Sequence, residues 1–275
     1  MTGTQPTMAE LLDLEPLDRD LYRGINEVPD NGRPTLYGGQ IAAQALMAAG
    51  LTVPDGRHPH SMHGYFLRSG MRALPVIFKV ERDRDGRSFS ARRVSAVQDG
   101  AVIFDLTASF HVDEPGGEFA VPMPEGLPAP KQCRAEPFNH NFPLAEARVV
   151  PPVTIDDNGN ELSSTMWLRI REQLADDRLT HSCALAYLSD IGTGFLSTEV
   201  PGLPKGGPSL DHAMWFRVPL RADDWVLHRM WPLHAGGARG LYAGSMFQHD
   251  GTLGVTIAQE SLLRLPLSNP EQSPS

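Results

Sequence analysis

Residues 95–110 read Ser-Ala-Val-Gln-Asp-Gly-Ala-Val-Ile-Phe-Asp-Leu-Thr-Ala-Ser-Phe, and residues 245–261 read Ser-Met-Phe-Gln-His-Asp-Gly-Thr-Leu-Gly-Val-Thr-Ile-Ala-Gln-Glu-Ser. Each stretch places an Asp-Gly pair between two strand-like runs, which is a strong signal for a β-hairpin. The two turns lie 151 residues apart, about half of the 275-residue chain. The repetition predicts that one structural unit occurs twice.

The two copies are not chemically equal, because the polar residue Gln259 of the second copy falls opposite Ala108 of the first. On a strand, Gln259 shares a face with Leu253, Val255 and Ile257. A buried amide without partners costs about 1–3 kcal/mol. Two interpretations stay open: a structural glutamine satisfied by neighbouring backbone, or a polar group that orients a water or a carbonyl in a dry site.

Each copy is predicted to begin with an apolar helix. Residues 38–50 start with Gly-Gly and stop at a glycine, and residues 180–192 have Thr180 as a possible N-cap and Gly192 as a stop. Both are apolar around most of their circumference, which favours burial. Strand runs follow without intervening helices, so the fold class is α+β: two tandem units, each a curved antiparallel sheet around a central helix.

The strands after each helix also correspond, since Ser61–Arg68 resembles Ser209–Arg217 with one residue inserted. Further strands are predicted over 75–82 and 87–97. Aligning Phe216 with Phe66 places Asp211 opposite Ser61. Asp211 is open to two interpretations, a strand-end cap or solvated charge on the one hand, and a general base on the other.

The chain divides into four predicted parts. They are an N-terminal domain at 10–113, a Pro/Gly-rich linker at 114–145, a C-terminal domain carrying the Asp and Gln at 146–267, and a disordered tail at 268–275.

Composition excludes several classes of protein. A net charge of −9 argues against a nucleic-acid surface, and no window is apolar enough for a membrane span. The first residues lack a secretory pattern, so a cytoplasmic location is expected. Nucleotide-binding glycine motifs and the serine-hydrolase elbow are absent. His58 and His60 could share a strand face, but His63 would point the other way and no carboxylate or thiol partner is nearby, so neither a metal nor a cofactor is expected.

Several segments in order resemble the acyl-CoA thioesterase II family. They are Tyr37-Gly-Gly-Gln-Ile-Ala-Ala-Gln-Ala-Leu, His60-Ser-Met-His-Gly-Tyr-Phe-Leu-Arg68, Asp85-Gly-Arg-Ser-Phe-Ser-Ala-Arg-Arg-Val94, Ala184-Leu-Ala-Tyr-Leu-Ser-Asp190, Ser209-Leu-Asp-His-Ala-Met-Trp-Phe216 and Ala258-Gln-Glu260. The resemblance implies a double hot-dog fold, hydrolysis of acyl-CoA to a free fatty acid and CoA, and a homodimer or higher oligomer. It also implies that Asp211 and Gln259 are catalytic, with a water as nucleophile and no covalent intermediate.

At one position the sequence differs from the pattern that the resemblance implies. The family's Ser or Thr is expected just before an Ala-Arg-Gly motif, yet no hydroxyl occurs between Met230 and Gly240. Pro232, Leu233 or His234 occupies that position, and His234 is the candidate replacement. Gly39 is a candidate oxyanion donor, and His63 and Arg239 are candidate substrate contacts, while Arg68, Arg92 and Arg93 are further candidates for CoA phosphates.

Two other functions are alternatives to hydrolysis. A hot-dog hydratase typically pairs an Asp with a His in a short motif on the loop that binds the substrate, and the sequence shows no such arrangement. A non-catalytic acyl-CoA binding or sensing protein is the alternative that the missing hydroxyl favours.

Overall fold

The computed structural model describes residues 5–28, 32–136, 141–151, 164–192 and 206–264. Its helices are α1 (Met8–Leu12), α2 (Gly38–Gly50), α3 (Arg178–Ser189) and a short 3-10 helix at Pro130–Gln132. The strands are β1 (Glu15–Asp18), β2 (Leu21–Gly24), β3 (Arg57–Phe66), β4 (Val76–Asp85), β5 (Phe89–Gln98), β6 (Ala101–Val112), β7 (Arg134–Ala135), β8 (Ala145–Val149), β9 (Ser164–Ile170), β10 (Asp211–Phe216), β11 (Val226–Gly236), β12 (Arg239–Gln248) and β13 (Leu253–Leu262).

All of these strands form one antiparallel sheet in the order β1-β2-β4-β5-β6-β3-β10-β13-β12-β11-β9-β8-β7. The centre is the pairing of β3 with β10, in which Met62 lies opposite Met214. The order outward from β3 is β6, β5, β4, and outward from β10 it is β13, β12, β11. The two halves of the chain therefore repeat the same strand order on either side of the β3–β10 pair and share one sheet.

Helices α2 and α3 pack against each other, and α2 also lies on the strands of the first half. Eleven of the thirteen residues of α2 are buried, as its apolar circumference predicts. Tyr37 Oη donates to the carbonyl of Tyr187 at 2.7 Å. A Cβ placed on Gly39 would lie 2.5 Å from that same carbonyl oxygen, so the close approach of the helices requires glycine there.

The predicted elements are confirmed in outline, with shifts at their ends. Asp99 and Gly100 both have positive φ between β5 and β6, the geometry that an Asp-Gly hairpin turn requires. Helix α3 starts two residues before Thr180, and its N-cap is Asp177, whose Oδ2 accepts from the Thr180 N–H at 2.8 Å. The prediction of Thr180 as the N-cap was therefore wrong, because a carboxylate three residues earlier takes that position.

Leu253 does not share the inner face with Val255 and Ile257. Val255 and Ile257 belong to the main core, whereas Leu253 packs with Trp167 and Phe247 in a smaller cluster. The β12–β13 register shifts between Met246 and Phe247, and such a bulge changes the face on which the following residues lie.

The segment predicted as a linker is partly packed. Leu127 and Cys133 contact that smaller cluster, and Trp167 Nε1 donates to the Pro128 carbonyl at 3.0 Å. β7 pairs with β8, so the segment also adds an edge strand. The predicted tail at 268–275 lies outside the described residues. No helix within the described ranges is long and apolar enough to cross a membrane.

A buried carboxylate beside the helix pair gives a pH prediction. Glu27 is 2% exposed, accepts from Tyr187 Oη at 3.1 Å, and burial raises its pKa from 4.5 to about 7. The folded state then holds a proton that the unfolded chain has lost between these two pH values, so stability falls as pH rises from about 4.5 to 7. The total loss is on the order of 3 kcal/mol.

Glu27→Gln is expected to flatten this dependence, because glutamine resembles the protonated acid. Urea unfolding at pH 5 and pH 8 measures it. The wild type should be the less stable protein at pH 8 and close to the variant at pH 5. An equal difference at both pH values contradicts the assignment.

Candidate active site

Gln259 lies on the inner face of β13 with no exposed surface. Its Oε1 is 2.7 Å from His212 Nδ1, and its Nε2 donates to Asp190 Oδ1 at 3.1 Å and to Ser209 Oγ. The partners of the amide are thus side chains from three other parts of the chain. Of the two interpretations open for Gln259, these contacts favour the functional one.

The hydrogen-bonded chain continues from His212 to the end of α3. His212 Nε2 lies 2.7 Å from the hydroxyl of Ser189, the last residue of that helix. Both side chains are fully buried. Burial lowers the pKa of His212, although the nearby Asp190 carboxylate opposes this effect, so the imidazole is neutral near pH 7.

Asp190 is the C-cap of α3 and reaches the beginning of α2. A Cβ built on Gly38, the first residue of α2, would lie 2.7 Å from Asp190 Oδ2. The first-turn N–H groups and the dipole of a helix favour negative charge at this end. A carboxylate, an amide and a hydroxyl therefore meet at the N-terminus of a buried helix.

This group opens on a cavity of about 570 Å³. Asp190 and Ser209 line it together with apolar side chains and two guanidinium groups. The apolar residues are Leu36, Ile41 and Phe66, and the cations are Arg33 and Arg68. A polar centre between an apolar wall and cationic groups suits a ligand with an apolar part and an anionic part.

Asp211 lies away from this group. Its Oδ1 accepts from the Glu260 N–H at 2.7 Å, and its Oδ2 is 3.0 Å from His63 Nε2. His212 follows Asp211 directly and faces inward, so Asp211 lies on the opposite face of β10. The structure brings Asp211 together with His63, and it does not bring Asp211 together with Gln259.

The other predicted residues are also placed outside the polar group. His234 is exposed, next to the register shift between β11 and β12. Arg239 pairs with Glu260 on the surface at 3.2 Å. Gly39 lies at the N-terminus of α2 but faces the Tyr187 carbonyl.

The arginines that were candidates for contacts with CoA phosphates lie in different environments. Arg92 is fully buried and bonds Asp85 at 2.8 Å, and Arg93 pairs with Glu81 at the surface. Of the arginines predicted as CoA contacts, Arg68 lines the cavity, with its Nη1 donating to the Val102 carbonyl at 2.7 Å.

Sequence reasoning missed Asp190, Ser209, His212 and Ser189. The repeat comparison held a signal for one of them, because the alignment of Phe216 with Phe66 also sets His212 opposite Met62. In the structure Met62 lies beside Ala108, and both are buried. The first half therefore has an apolar pair where the second has His212 and Gln259.

A second, smaller cavity of about 120 Å³ lies at the N-terminus of α3. His58 and Pro59 at the start of β3 line it, as do Phe216 and Arg217 at the end of β10. Its position at the N-terminus of α3 corresponds to that of the larger cavity, which lies at the N-terminus of α2 and is lined by Phe66 and Arg68 near the end of β3. Within the described residues, no group of three or more His, Cys, Asp or Glu side chains is arranged to hold a metal ion.

Similarity to solved structures identifies the fold class of the chain. A protein with the hot-dog fold from Alicyclobacillus acidocaldarius superposes with a TM-score of 0.77 at 18% identity, covering 94% of this chain and 98% of its own. The acyl-CoA thioesterase II TesB2 from Mycobacterium marinum gives a TM-score of 0.81 at 39% identity, covering 95% and 99%. The fold is thus of the hot-dog thioesterase type, a large antiparallel sheet with few helices.

Sequence comparison then gives the family. The model for the acyl-CoA thioesterase N-terminal domain matches residues 28–111, and that for the C-terminal domain matches residues 104–263. Acyl-coenzyme A thioesterase 8 of Mus musculus is 39% identical, covering 94% of this chain and 89% of its own, and acyl-CoA thioesterase 2 of Haemophilus influenzae is 36% identical, covering 96% and 99%. The chain belongs to the acyl-CoA thioesterase family, which confirms the resemblance read from the sequence.

Proposed function

We propose that the protein hydrolyses acyl-CoA thioesters to a free fatty acid and CoA, and that its two halves are two hot-dog units. The observation that carries the proposal is the hydrogen-bonded group of Asp190, Gln259 and Ser209 at the wall of a cavity with apolar and cationic sides. Family membership at 36–39% identity over nearly the full length supports the same reaction.

The carboxylate is the general base of the proposed mechanism. Asp190 Oδ2 faces the N-terminus of α2, where it accepts a proton from a water as that water attacks the thioester carbonyl. Ser209 Oγ donates to the same water. The Gln259 amide donates one hydrogen bond to Asp190 and one to Ser209. It therefore fixes the positions of the two side chains that bind the water.

The developing negative charge on the carbonyl oxygen needs donors aimed at it. The first-turn N–H groups of α2, beginning at Gly38, supply such donors with a favourable helix dipole. Collapse of the tetrahedral intermediate breaks the carbon–sulfur bond, and the CoA thiolate takes the proton from Asp190. No covalent bond to the protein forms at any step.

The cavity suits the two ends of such a substrate. Ile41 and Phe66 offer apolar contact for the acyl chain. Arg33 and Arg68 offer guanidinium groups for CoA phosphates, which bind arginine in bidentate fashion.

The binding-only alternative depended on the missing hydroxyl between Met230 and Gly240. Ser209 supplies a hydroxyl against Gln259 from another part of the chain, so this reason for a non-catalytic protein no longer applies. Asp211 stays a competing proposal for the base.

A thiol-release assay with purified protein and acyl-CoAs of increasing chain length tests the function. Release of free CoA with saturation kinetics is the expected result. The control is Arg93→Ala, which removes an arginine that pairs with Glu81 on the surface and should leave the rate unchanged. Tight acyl-CoA binding without thiol release would support the sensor instead.

A further inference from the structure

The orientation of the Gln259 amide is fixed by its two neighbours. Asp190 Oδ1 can only accept a hydrogen bond, so the atom 3.1 Å from it must be the amide nitrogen. The amide oxygen then faces His212 Nδ1 at 2.7 Å, and this nitrogen must carry a hydrogen. If the amide were reversed, its oxygen would lie against the carboxylate.

The tautomer of His212 in turn fixes the hydroxyl of Ser189. A neutral imidazole protonated at Nδ1 accepts at Nε2, so Ser189 Oγ must donate across the 2.7 Å contact. The same hydroxyl lies 2.9 Å from the Ala186 carbonyl, which is its alternative acceptor within α3. The Ser189 proton can serve one of these acceptors at a time.

These choices are coupled into two consistent arrangements. In one, Ser189 donates to His212, His212 donates to the oxygen of Gln259, and the Gln259 amide hydrogens face Asp190 and Ser209. In the other, Ser189 donates to Ala186, His212 carries its hydrogen on Nε2, and the Gln259 amide is reversed. The Asp190 charge selects the first, because the second opposes an amide oxygen to a carboxylate oxygen.

We propose that His212 and Ser189 are positioning residues for hydrolysis, holding the Gln259 amide hydrogens toward Asp190 and Ser209. The proposal rests on the function assigned to that site. All three side chains are fully buried, so water does not replace a lost partner, and the orientation of the amide then depends on the protein alone.

A double-mutant cycle separates positioning from a merely structural role. His212→Leu removes the donor, and His212→Asn keeps an amide donor at the same distance from the backbone as Nδ1. His212→Leu is expected to lower kcat by roughly 10–100-fold with KM within about threefold, and His212→Asn to stay within about fivefold of wild type.

In a Gln259→Ala background, His212→Leu should change kcat by less than about twofold, because nothing remains to be positioned. An equal loss of kcat in both backgrounds overturns the proposal. If His212→Leu does not fold, Ser189→Ala replaces it in the cycle with Gln259→Ala. A loss of kcat only when Gln259 is present supports the proposal, and an equal loss in both backgrounds overturns it.

A second measurement does not depend on turnover. Long-range ¹⁵N–¹H NMR spectra of the histidine rings, with His212 assigned from the His212→Asn spectrum, should show Nδ1–H and an accepting Nε2. In Asp190→Asn the charge that selects the amide orientation is gone, and signal from the Nε2–H tautomer should appear. Nε2–H in the wild type contradicts the positioning scheme whether or not the protein is active, whereas absent thiol release with Nδ1–H contradicts only the proposed function.

Discussion

Asp190→Asn is expected to lower kcat for acyl-CoA hydrolysis by roughly 10²–10⁴-fold, the range that loss of a general base gives. Asparagine preserves the shape of the side chain and can still contact Gln259, so the fold should persist. KM should change little, since Asp190 acts on the attacking water rather than on CoA. Steady-state kinetics with a saturating acyl-CoA measures the effect.

Asp211→Asn is the matched comparison, because it makes the same change in a carboxylate 21 positions further along the chain. Asp211 contacts His63 and the Glu260 N–H on the outer face, so its replacement should lower kcat by less than about fivefold. The opposite ranking of the two variants would restore Asp211 as the base and remove Asp190 from the mechanism.

Gly38→Ala and Gly39→Ala make the same change at adjacent residues, but we expect the first to lower kcat and the second to lower stability. A Cβ at residue 39 meets the Tyr187 backbone carbonyl at 2.5 Å and the Tyr37 ring at 2.7 Å. A backbone carbonyl cannot rotate away from the new Cβ as a side chain can. Helices α2 and α3 must therefore move apart, which should lower the free energy of unfolding by about 1–3 kcal/mol. The melting temperature should fall by on the order of 5 °C.

At residue 38 the nearest atoms belong to side chains, Asp190 Oδ2 at 2.7 Å and the Phe66 ring at 3.0 Å. Both can rotate, so Gly38→Ala should keep the wild-type stability within about 1 kcal/mol. It should lower kcat at least tenfold, because the Asp190 carboxylate is displaced from its place beside Gln259. Thermal unfolding and kinetics on the two variants check this, and equal losses of stability would contradict it.

Strand periodicity could have excluded Asp211 from the inner face. Met214 and Phe216 are apolar and face inward, and Asp211 differs from them by an odd number of positions, so it must face outward. The alignment of the two copies and the family resemblance both pointed instead to Asp211, the first acidic residue of that strand. The alternation of inward and outward residues along the strand instead places its neighbour, His212, on the inner face.

Gln259 was found because the signal was local: one polar residue on an apolar face, with an alanine at the equivalent position of the other copy. Asp190 could not be found in this way. It lies 69 positions before Gln259, and only the tertiary fold brings the end of α3 and β13 together, so that the two side chains meet. Ser209 precedes β10 and joins β13 by an isolated bridge, so alternation along the strand does not predict its direction.

The repeated strand order on either side of the β3–β10 pair also bears on the number of active sites in the chain. The fold has two geometrically equivalent positions, one at the N-terminus of each long helix, but Met62 and Ala108 stand where the chemistry would need His212 and Gln259. On the proposed function, the described residues of the chain thus form one reaction centre. The half without it still contributes Gly38, Phe66 and Arg68 to the cavity that Asp190 and Ser209 line, so neither half expressed alone is expected to be active.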